Sequence, residues 1–249
     1  MPIECPDWDN ETWISTPEYI SYAASQVVEW WGHPHSGKFV DLGCSRGGIT
    51  LAIAKLLPDA VTVEGVDSAP VIPPKSVTGR VTFYELDAIE YLRAQATESI
   101  DGILLKQVMH CFSAERQTQL FEEMTRTMTS SGKILVLGLP EPSRVRVPLF
   151  RAALERYDEE YQNADSIVLL AKEFGFRAEA SEFCFPVRVS REAYFNMIRR
   201  RFLSSLRDLT DRQIEEGIRE LEASHPGSEI AFDDKLYAFH LTKSIVREK

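Results

Sequence analysis

The sequence predicts an α/β fold: a doubly wound sheet of seven strands, mostly parallel with an antiparallel last strand, plus inserted helices. Short apolar runs rich in β-branched residues alternate with stretches of helical periodicity over the first two-thirds of the chain. That alternation is typical of parallel strands joined by helical crossovers. The first apolar run passes through a glycine-rich turn directly into a helical stretch, and helices separate the last two predicted strands. Together these observations favour an open sheet with helices on both faces.

The elements follow in order from their periodicity and their flanking residues. Strands are predicted at 38–42, 61–66, 80–86, 101–106, 133–139, 177–189 and 235–242. Helices are predicted at 17–31, 47–57, 113–128, 146–163, 165–174, 190–206 and 210–223. Pro17 suits a first helical turn, Ser113 suits an N-cap, and Thr210 with Gln213 forms a capping-box pattern.

Composition narrows the classes of partner. The 28 basic and 38 acidic residues of the 249-residue chain give a net charge of −10, which argues against a nucleic-acid substrate. The four cysteines (Cys5, Cys44, Cys111 and Cys184) are spaced too widely for a zinc pattern or a disulfide framework, so no metal site is predicted. No signal peptide is visible and no apolar run approaches ~18 residues. We therefore expect a cytoplasmic protein with no membrane partner.

The glycine-rich turn carries the first chemical signal. Asp41 is a charged residue in an otherwise apolar strand, where a carboxylate is costly unless it pairs or binds a ligand. Gly43 permits a sharp turn, and Gly47 permits close approach of the backbone to a ligand. The following helix N-terminus favours an anionic group. The glycine spacing does not match the G-x-G-x-x-G pattern of a pyrophosphate-binding turn.

Two further carboxylates end neighbouring strands. Asp67 follows the second strand, where an acidic side chain can accept both hydroxyls of a ribose. Asp87 follows the third strand, where it could accept a hydrogen bond from an adenine amino group. A single glycine-rich turn is weak evidence, but a turn with two acidic strand ends in register favours an adenosine ligand.

Several motifs together resemble the class I S-adenosylmethionine-dependent methyltransferases of small-molecule type, over residues 17–186 and the final strand. The matching segments are Asp41-Leu-Gly43-Cys-Ser-Arg-Gly47 (similar to D/E-x-G-x-G-x-G), Glu64-Gly-Val-Asp67, Leu86-Asp87-Ala88, Asp101–His110 and Ser131-Gly132-Lys133-Ile134. Ser45 stands where the family pattern has its middle glycine, which could change how closely the turn approaches the methionine moiety. The resemblance implies a Rossmann-like sheet and S-adenosyl-L-methionine as cofactor.

The resemblance also implies which residues bind that cofactor. Asp41 and the turn Gly43–Gly47 would hold the methionine portion, Asp67 the ribose, and Asp87 with Ala88 the adenine. The full set of expected cofactor-binding residues is Asp41, Gly43, Cys44, Ser45, Gly47, Asp67, Ser68, Asp87, Ala88, Lys106, Gln107 and Tyr22. For Tyr22, the alternative is simple packing of the N-terminal helix onto the sheet.

The domain organisation follows from the same resemblance. We expect a single methyltransferase domain at 1–249, with an N-terminal lid and helix at 1–36 and a cofactor-binding core at 38–139. Helical insertions at 144–163 and 190–228 would form a substrate cap, since insertions at the carboxyl end of such sheets commonly cover the ligand crevice. The run Arg199–Arg201 in the second insertion could pair a substrate carboxylate or form a solvated face.

His110 is the candidate catalytic residue, because it follows the fourth strand at the rim where the reactive methyl would point. It could be a general base or an orienting group, or a loop histidine packed near Phe112. The segment Lys106–Met109 lacks the Asn/Asp-Pro-Pro-Tyr/Phe pattern of nucleic-acid amino methyltransferases. We therefore expect methyl transfer to an O, N or S atom of a small metabolite by a monomer or homodimer. The alternatives are methylation of a tRNA or protein, and a non-catalytic cofactor-binding regulatory protein.

Overall fold

The computed structural model describes residues 12–69, 80–161 and 164–244. Its strands are β1 Gly37–Leu42, β2 Val61–Asp67, β3 Val81–Glu85, β4 Ile100–Lys106, β5 Met128–Gly138, β6 Phe176–Ser190 and β7 Glu229–Lys243. Its α-helices are α1 Pro17–Trp31, α2 Gly48–Leu56, α3 Ala88–Arg93, α4 Ala114–Thr127, α5 Arg151–Glu160, α6 Ala164–Glu173, α7 Arg191–Arg199 and α8 Asp211–Ser224. Short 3₁₀ turns lie at Trp13–Ser15, Met109–Cys111, Pro142–Arg144 and Ser204–Leu206.

The seven strands form one sheet in the order β3-β2-β1-β4-β5-β7-β6. The first five strands pair in parallel, whereas β7 runs antiparallel to β5, with Val136 opposite Phe239. The predicted fold class, a Rossmann-like sheet with an antiparallel last strand, is confirmed. Because the order reverses between β1 and β4, the carboxyl ends of these strands flank the point where such sheets bind ligands.

Local sequence signals account for the ends of several helices. The Ser113 hydroxyl accepts a hydrogen bond from the Arg116 backbone N–H at the start of α4. Thr210 and Gln213 form the predicted capping box of α8. The predicted helix at 17–31 is observed with the same bounds. Each cap satisfies amides that have no intrahelical partner, which fixes where the helix begins.

Two of the predicted insertion helices are shorter than expected. The helix predicted at 146–163 begins only at Arg151, because Pro148 disfavours a helical conformation in the residue before it. The helix predicted at 190–206 ends at Arg199, and the backbone then reverses through Arg201, whose φ is +56°. The short helix α3 was not predicted at all. In addition, β7 begins at Glu229 instead of residue 235.

The chain divides into two compact units, of which the larger comprises 20–138, 164–182 and 237–249. The central strands β1, β4 and β5 supply its core, and Ile103, Leu104 and Leu105 are all fully buried. Such continuous apolar runs are expected of parallel strands that are covered on both faces. Against them pack the buried side chains of α4, namely Leu120, Phe121 and Met124.

A buried polar contact also lies within this unit. Glu64 of β2 is 7% exposed and accepts a hydrogen bond from the Tyr91 hydroxyl of α3. The Lys38 ammonium lies 3.5 Å from the same carboxylate. Burial and the Glu64 contact both raise the pKa of Tyr91. The tyrosine therefore remains a hydrogen-bond donor across the physiological range and satisfies a buried charge.

The smaller unit comprises 1–19, 139–163 and 183–236. At its centre the Trp13 indole N–H donates to the buried Asp234 carboxylate at 2.9 Å. The ring of Trp13 contacts Phe202 and Phe232 edge-on, at centroid distances of 5.2 and 5.0 Å. An aromatic cluster with a satisfied indole gives this unit its own core.

Parts of three expected segments fall outside the described residues. These are the first eleven residues of the expected lid 1–36, residues 70–79 of the expected core 38–139, and residues 162 and 163 of the expected insertion 144–163. Across the ranges 12–69, 80–161 and 164–244, no helix combines the length and apolar character needed to cross a membrane. The roles of 1–36 as a lid and of 144–163 and 190–228 as a substrate cap stay predictions.

Candidate active site

The candidate site lies where the parallel strands end. In the sheet register, Leu42 is opposite both Val66 and Leu105, and Asp67 is opposite Glu85. The segments that follow β1, β2, β3 and β4 therefore begin at one edge of the sheet. Most of the predicted cofactor-binding residues belong to these four segments, so the fold brings them to the same edge.

The turn after β1 has the backbone geometry that its glycines predict. Gly43 and Gly47 have φ angles of +81° and +70°, which side chains disfavour. A Cβ on Gly43 would lie only 2.7 Å from Cγ2 of Val108. The backbone N–H groups of Gly43 and Cys44 donate to the Val66 carbonyl at 2.8 and 3.1 Å. The turn is therefore pinned to the end of β2 and admits only glycine at position 43.

Ser45, in place of the family's middle glycine, also adopts a left-handed conformation, with φ +49°. For a residue with a side chain this conformation costs on the order of 1–3 kcal/mol. The Ser45 backbone N–H donates to Oδ2 of Asp67 at 2.8 Å, a charge-assisted bond that offsets part of that cost. The backbone amide at position 45 thus ties the turn to the carboxylate at the end of β2, independently of the serine side chain.

Asp67 is oriented by two backbone amides. Oδ2 accepts from Ser45 as above, and Oδ1 accepts from the Ala69 backbone N–H at 2.9 Å. An ionised carboxylate has about four lone-pair sites, so two more donors can bind it. The neighbouring Ser68 is exposed at the same edge. Asp67 is thus a preoriented acceptor for a diol or another pair of donors.

Asp41 is a buried carboxylate, with only 3% of the residue exposed. Its Oδ2 accepts a hydrogen bond from the Thr50 hydroxyl of α2 at 2.6 Å. Burial raises the pKa of Asp41 to about 6, against the opposing effects of the Thr50 hydrogen bond and the Lys106 charge, with Asp67 adding to the rise. A ligand cation beside Asp41 would offset this burial penalty. Burial likewise raises the pKa of the nearby Cys44 thiol, so Cys44 is a neutral lining residue.

Asp87 has structural partners that the sequence did not reveal. It is the N-cap of α3: its Oδ1 accepts from the backbone N–H groups of Ile89 and Glu90, at 3.0 and 3.3 Å. Its Oδ2 forms an ion pair with the Arg116 guanidinium of α4. The first residue of α3, Ala88, is buried beside it. The cap explains why a helix begins here, while the adenine contacts of Asp87 and Ala88 stay predictions.

His110 lies in the 3₁₀ turn Met109–Cys111 after β4, and its side chain is exposed. At the end of β4, the Lys106 ammonium donates to the Gln107 side-chain oxygen at 2.8 Å. Gln107 itself has a φ of +53°, and its backbone N–H donates to the Leu137 carbonyl at 2.7 Å. The strand end is thus closely tied to β5, and the histidine follows it at the edge of the sheet where the parallel strands end.

A residue that sequence reasoning missed supports this turn. Gln117 of α4 is 8% exposed, and its Nε2 donates to the carbonyls of Met109 and Phe112 at 3.1 and 3.2 Å. Its signal in the sequence is a polar residue in register with the apolar stripe formed by Leu120 and Phe121. A buried polar residue in such a stripe is expected to have a specific partner.

The predicted N-terminal residues are only partly explained. Ile20 of α1 packs near the start of α2, where a Cβ on Gly48 would lie 3.2 Å from its Cδ1. Tyr22, two residues after Ile20 in α1, is half-buried. Tyr19 is fully buried and packs against Phe183 and Phe185, at ring distances of 5.8 and 5.1 Å. Packing therefore accounts for Tyr19, and the cofactor contact of Tyr22 stays a prediction.

The arginine run of the second insertion has protein partners. The Arg199 guanidinium lies 2.8 Å from Glu215 of α8, and the Arg201 guanidinium lies 2.6 Å from Asp211. Both carboxylates belong to the same compact unit as the arginines. These two side chains favour the solvated-face interpretation over pairing with a substrate carboxylate.

Comparison with known proteins agrees with the predicted methyltransferase family. A family model described as a methyltransferase domain matches residues 39–132. The O-methyltransferase pgmB of Aspergillus terreus is 26% identical over 141 residues, which cover 52% of this chain and 39% of the relative. The protein-methionine methyltransferase laeA of Emericella nidulans is 50% identical over 42 residues, 17% of this chain and 11% of the relative. The chain thus spans less than half the length of either relative.

Solved structures extend the likeness to most of the chain. A protein described as a methyltransferase from an antibiotic biosynthesis pathway of Anabaena variabilis has a TM-score of 0.66 with this structure. The two are 19% identical, and the alignment covers 88% of this chain and 96% of that chain. At this identity the likeness concerns the fold, and it includes the sheet described above.

Proposed function

We propose that this chain, which belongs to the class I S-adenosylmethionine-dependent methyltransferases, transfers a methyl group from S-adenosylmethionine to an O, N or S atom of a small metabolite. The observation that carries the proposal is the arrangement of two carboxylates, Asp41 and Asp67, around the glycine turn that leads into α2. The O-methyltransferase relative makes an oxygen acceptor the first to test.

A carboxylate and the backbone amides at the turn together suit a ligand with an amino-acid end. Burial raises the pKa of Asp41 because it destabilises the charged carboxylate. A ligand ammonium beside Asp41 would stabilise that charged form again. The first amides of α2 begin directly after Gly47, and a helix N-terminus favours a carboxylate. Asp41 and the turn Gly43–Gly47 would therefore hold the methionine portion.

The acceptor groups at the end of β2 suit an adenosine. Asp67 is fixed by the Ser45 and Ala69 amides, and its remaining lone pairs can accept both ribose hydroxyls. Ser68 follows at the same edge. Asp87 and Ala88, at the start of α3, would lie beside the adenine, with the Arg116 ion pair holding the Asp87 carboxylate in place.

The chain's contribution to the reaction is mainly positional. S-adenosylmethionine, when bound, supplies an electrophilic methyl group on a sulfonium sulfur. Lys106 at the end of β4, with Gln107 and His110 after it, would line the side from which an acceptor approaches. Holding the two reactants in line supplies much of the rate enhancement in such transfers. His110 would orient the acceptor or accept its proton.

The cofactor assignment can be tested with S-adenosylhomocysteine by calorimetry. Asp67→Asn keeps the shape but removes the charge that would bind the ribose, so the Kd should rise at least about tenfold, the size expected for lost hydrogen bonds to a charged group. Asp59→Asn is the matched control, because Asp59 precedes β2 and pairs with Arg80 on the surface. No binding by the wild type, or equal binding by both variants, would refute the assignment.

The acceptor class requires a separate assay. The enzyme would be incubated with methyl-labelled S-adenosylmethionine and matched pools of phenols, carboxylic acids, amines and thiols, and separately with tRNA and cellular protein. We expect label in a small molecule, with the phenol and carboxylic acid pools tested first. Label confined to protein or tRNA would overturn the acceptor class but not the cofactor. Cofactor binding without any transfer would favour the regulatory alternative.

A further inference from the structure

Gln117 is a polar residue on the buried face of α4. That face also carries Leu120, Phe121 and Met124, all fully buried, and Gln117 occupies its first position. The Gln117 side chain reaches outside its own helix, and its Nε2 donates to two backbone carbonyls, those of Met109 and Phe112. A buried donor with two acceptors is costly to replace, because both carbonyls lose a hydrogen-bond donor.

The two carbonyls bracket the turn that carries His110. Within this turn the Cys111 backbone N–H donates to the Val108 carbonyl at 2.9 Å, and the Phe112 N–H donates to the Met109 carbonyl at 3.2 Å. A single 3₁₀ turn has poor hydrogen-bond geometry and little stability of its own. The Gln117 amide therefore holds the turn from the side of the core, while His110 extends from the exposed side.

A second contact ties the same region to the start of α3. Arg116, the residue before Gln117, pairs with Asp87, and its guanidinium lies 5.7 Å above the ring of Phe112. The first turns of α4 thus contact both the turn of His110 and the loop expected to receive the adenine. Of Arg116 and Gln117, Gln117 is the buried residue, so water weakens its contacts less.

We propose that Gln117 is a positioning residue of the methyl-transfer site: its amide clamps the turn Met109–Cys111 and so sets where His110 stands relative to the bound cofactor. This inference rests on the proposed function, because it assigns His110 a place beside that cofactor. Gln117 acts through the backbone of the turn, so its removal should displace His110 while the cofactor-binding turn after β1 stays intact.

The test uses Gln117→Met, which keeps the length of the side chain and removes both donors. S-adenosylhomocysteine is the probe, and its Kd is measured together with the NMR resonance of the His110 ring, assigned with His110→Ala. We expect the ligand to shift this resonance in the wild type. In Gln117→Met the Kd should change by less than about threefold, the His110 shift should be lost, and the amides of Cys111 and Phe112 should exchange about tenfold faster.

Arg126→Met is the matched control. Arg126 lies near the other end of α4; it donates to the backbone carbonyls of Leu92, Gln95 and Arg93, at 2.8, 2.9 and 3.5 Å, and pairs with Glu123 on its own helix. This variant loses the same kind of contact from the same helix, away from the turn. It should leave the His110 shift and the exchange of Cys111 and Phe112 unchanged, whereas a general loosening of α4 would alter both variants alike.

The outcomes separate the two proposals. If the wild type does not bind S-adenosylhomocysteine, the proposed function fails, and amide exchange still shows whether Gln117 fixes the turn. If all three proteins bind it with the same His110 shift, or if both variants change alike, the role of Gln117 is overturned. Should Gln117→Met not fold, Gln117→Asn keeps the amide on a shorter side chain, and an unchanged His110 shift in that variant would equally contradict the proposal.

Discussion

Replacing Asp41 with asparagine should make the ligand-free protein more stable at neutral pH while weakening its binding of S-adenosylhomocysteine. The Asp41 carboxylate is buried, and its pKa is raised from an ordinary 3.8 to about 6, chiefly by burial. The folded state therefore holds a proton that the unfolded state has already released between these two pH values. Stability from this group is fully present below pH 3.8 and is lost as the pH rises through 6.

The size of the effect follows from the shift. From 3.8 to about 6 is a difference of about 2.2 pKa units, and each unit corresponds to about 1.36 kcal/mol. Ionising Asp41 in the folded protein thus costs about 3 kcal/mol at pH 8. An asparagine carries no charge and can still accept the hydrogen bond from Thr50. For a chain of this size, about 3 kcal/mol corresponds to about 6–12 °C in Tm.

The assay compares denaturant unfolding of the wild type and Asp41→Asn between pH 4 and pH 8. The difference between the two proteins isolates Asp41 from other titrating groups, including the five histidines. The Asp41→Asn variant should be the more stable protein at pH 8, and its advantage should shrink to near zero at pH 4. At pH 8, the Kd of this variant for S-adenosylhomocysteine should rise at least about tenfold, since the ligand ammonium loses its charged partner.

Thr50→Val gives a second check on the same reasoning. The Thr50 hydrogen bond lowers the pKa of Asp41, so its removal should move the pH-dependent loss of stability to higher pH. A stability difference between wild type and Asp41→Asn that stays constant from pH 4 to pH 8 would refute the burial argument. A more stable variant with unchanged ligand affinity would instead remove Asp41 from the proposed cofactor site.

Three further substitutions test particular contacts. Gly43→Ala should destabilise the fold by about 1–3 kcal/mol, since φ is +81° and the new methyl would collide with Val108. Chemical denaturation measures this change, and an unchanged free energy of unfolding would contradict the tight turn. Tyr91→Phe should cost about 1–3 kcal/mol because the buried Glu64 loses a donor; chemical denaturation measures this loss, and an unchanged free energy of unfolding would contradict the contact. Thr210→Ala should cost about 1 kcal/mol and lower Tm by about 2–4 °C in a thermal scan, while a shift below one degree would mean that the capping box adds nothing.

The sequence predicted those parts of the site that depend on one local segment. The turn Gly43–Gly47 is recognisable because left-handed backbone needs glycine, and Asp41 stands out because a charge in an apolar strand needs a partner. The identity of that partner, Thr50, was not predicted, because the pattern within β1 does not show which neighbouring segment the Asp41 side chain contacts. The alternation of strands and helices predicts a mostly parallel sheet, which is why the fold class was predicted well.

Contacts between distant segments were not predictable in the same way. The ion pair between Asp87 and Arg116 and the hydrogen bonds from Gln117 to the turn after β4 depend on how α4 packs beside α3 and β4. A local pattern indicates that Gln117 is buried but not which carbonyls it reaches. Helix α3 was missed because its six residues are too few to show a clear helical period.

The contact between Gly43 and Val108 limits which side chains the protein can carry at position 108. Hydrogen bonds tolerate small shifts, whereas the repulsion between atoms rises steeply as they approach. Here the missing Cβ of Gly43 leaves room for the branched side chain of Val108. The segment after β1 and the segment after β4 therefore meet at a rigid boundary that neither can cross. Their separation is set by side-chain volume at position 108, so a larger or smaller residue there would reset the distance between the two segments without altering a polar group.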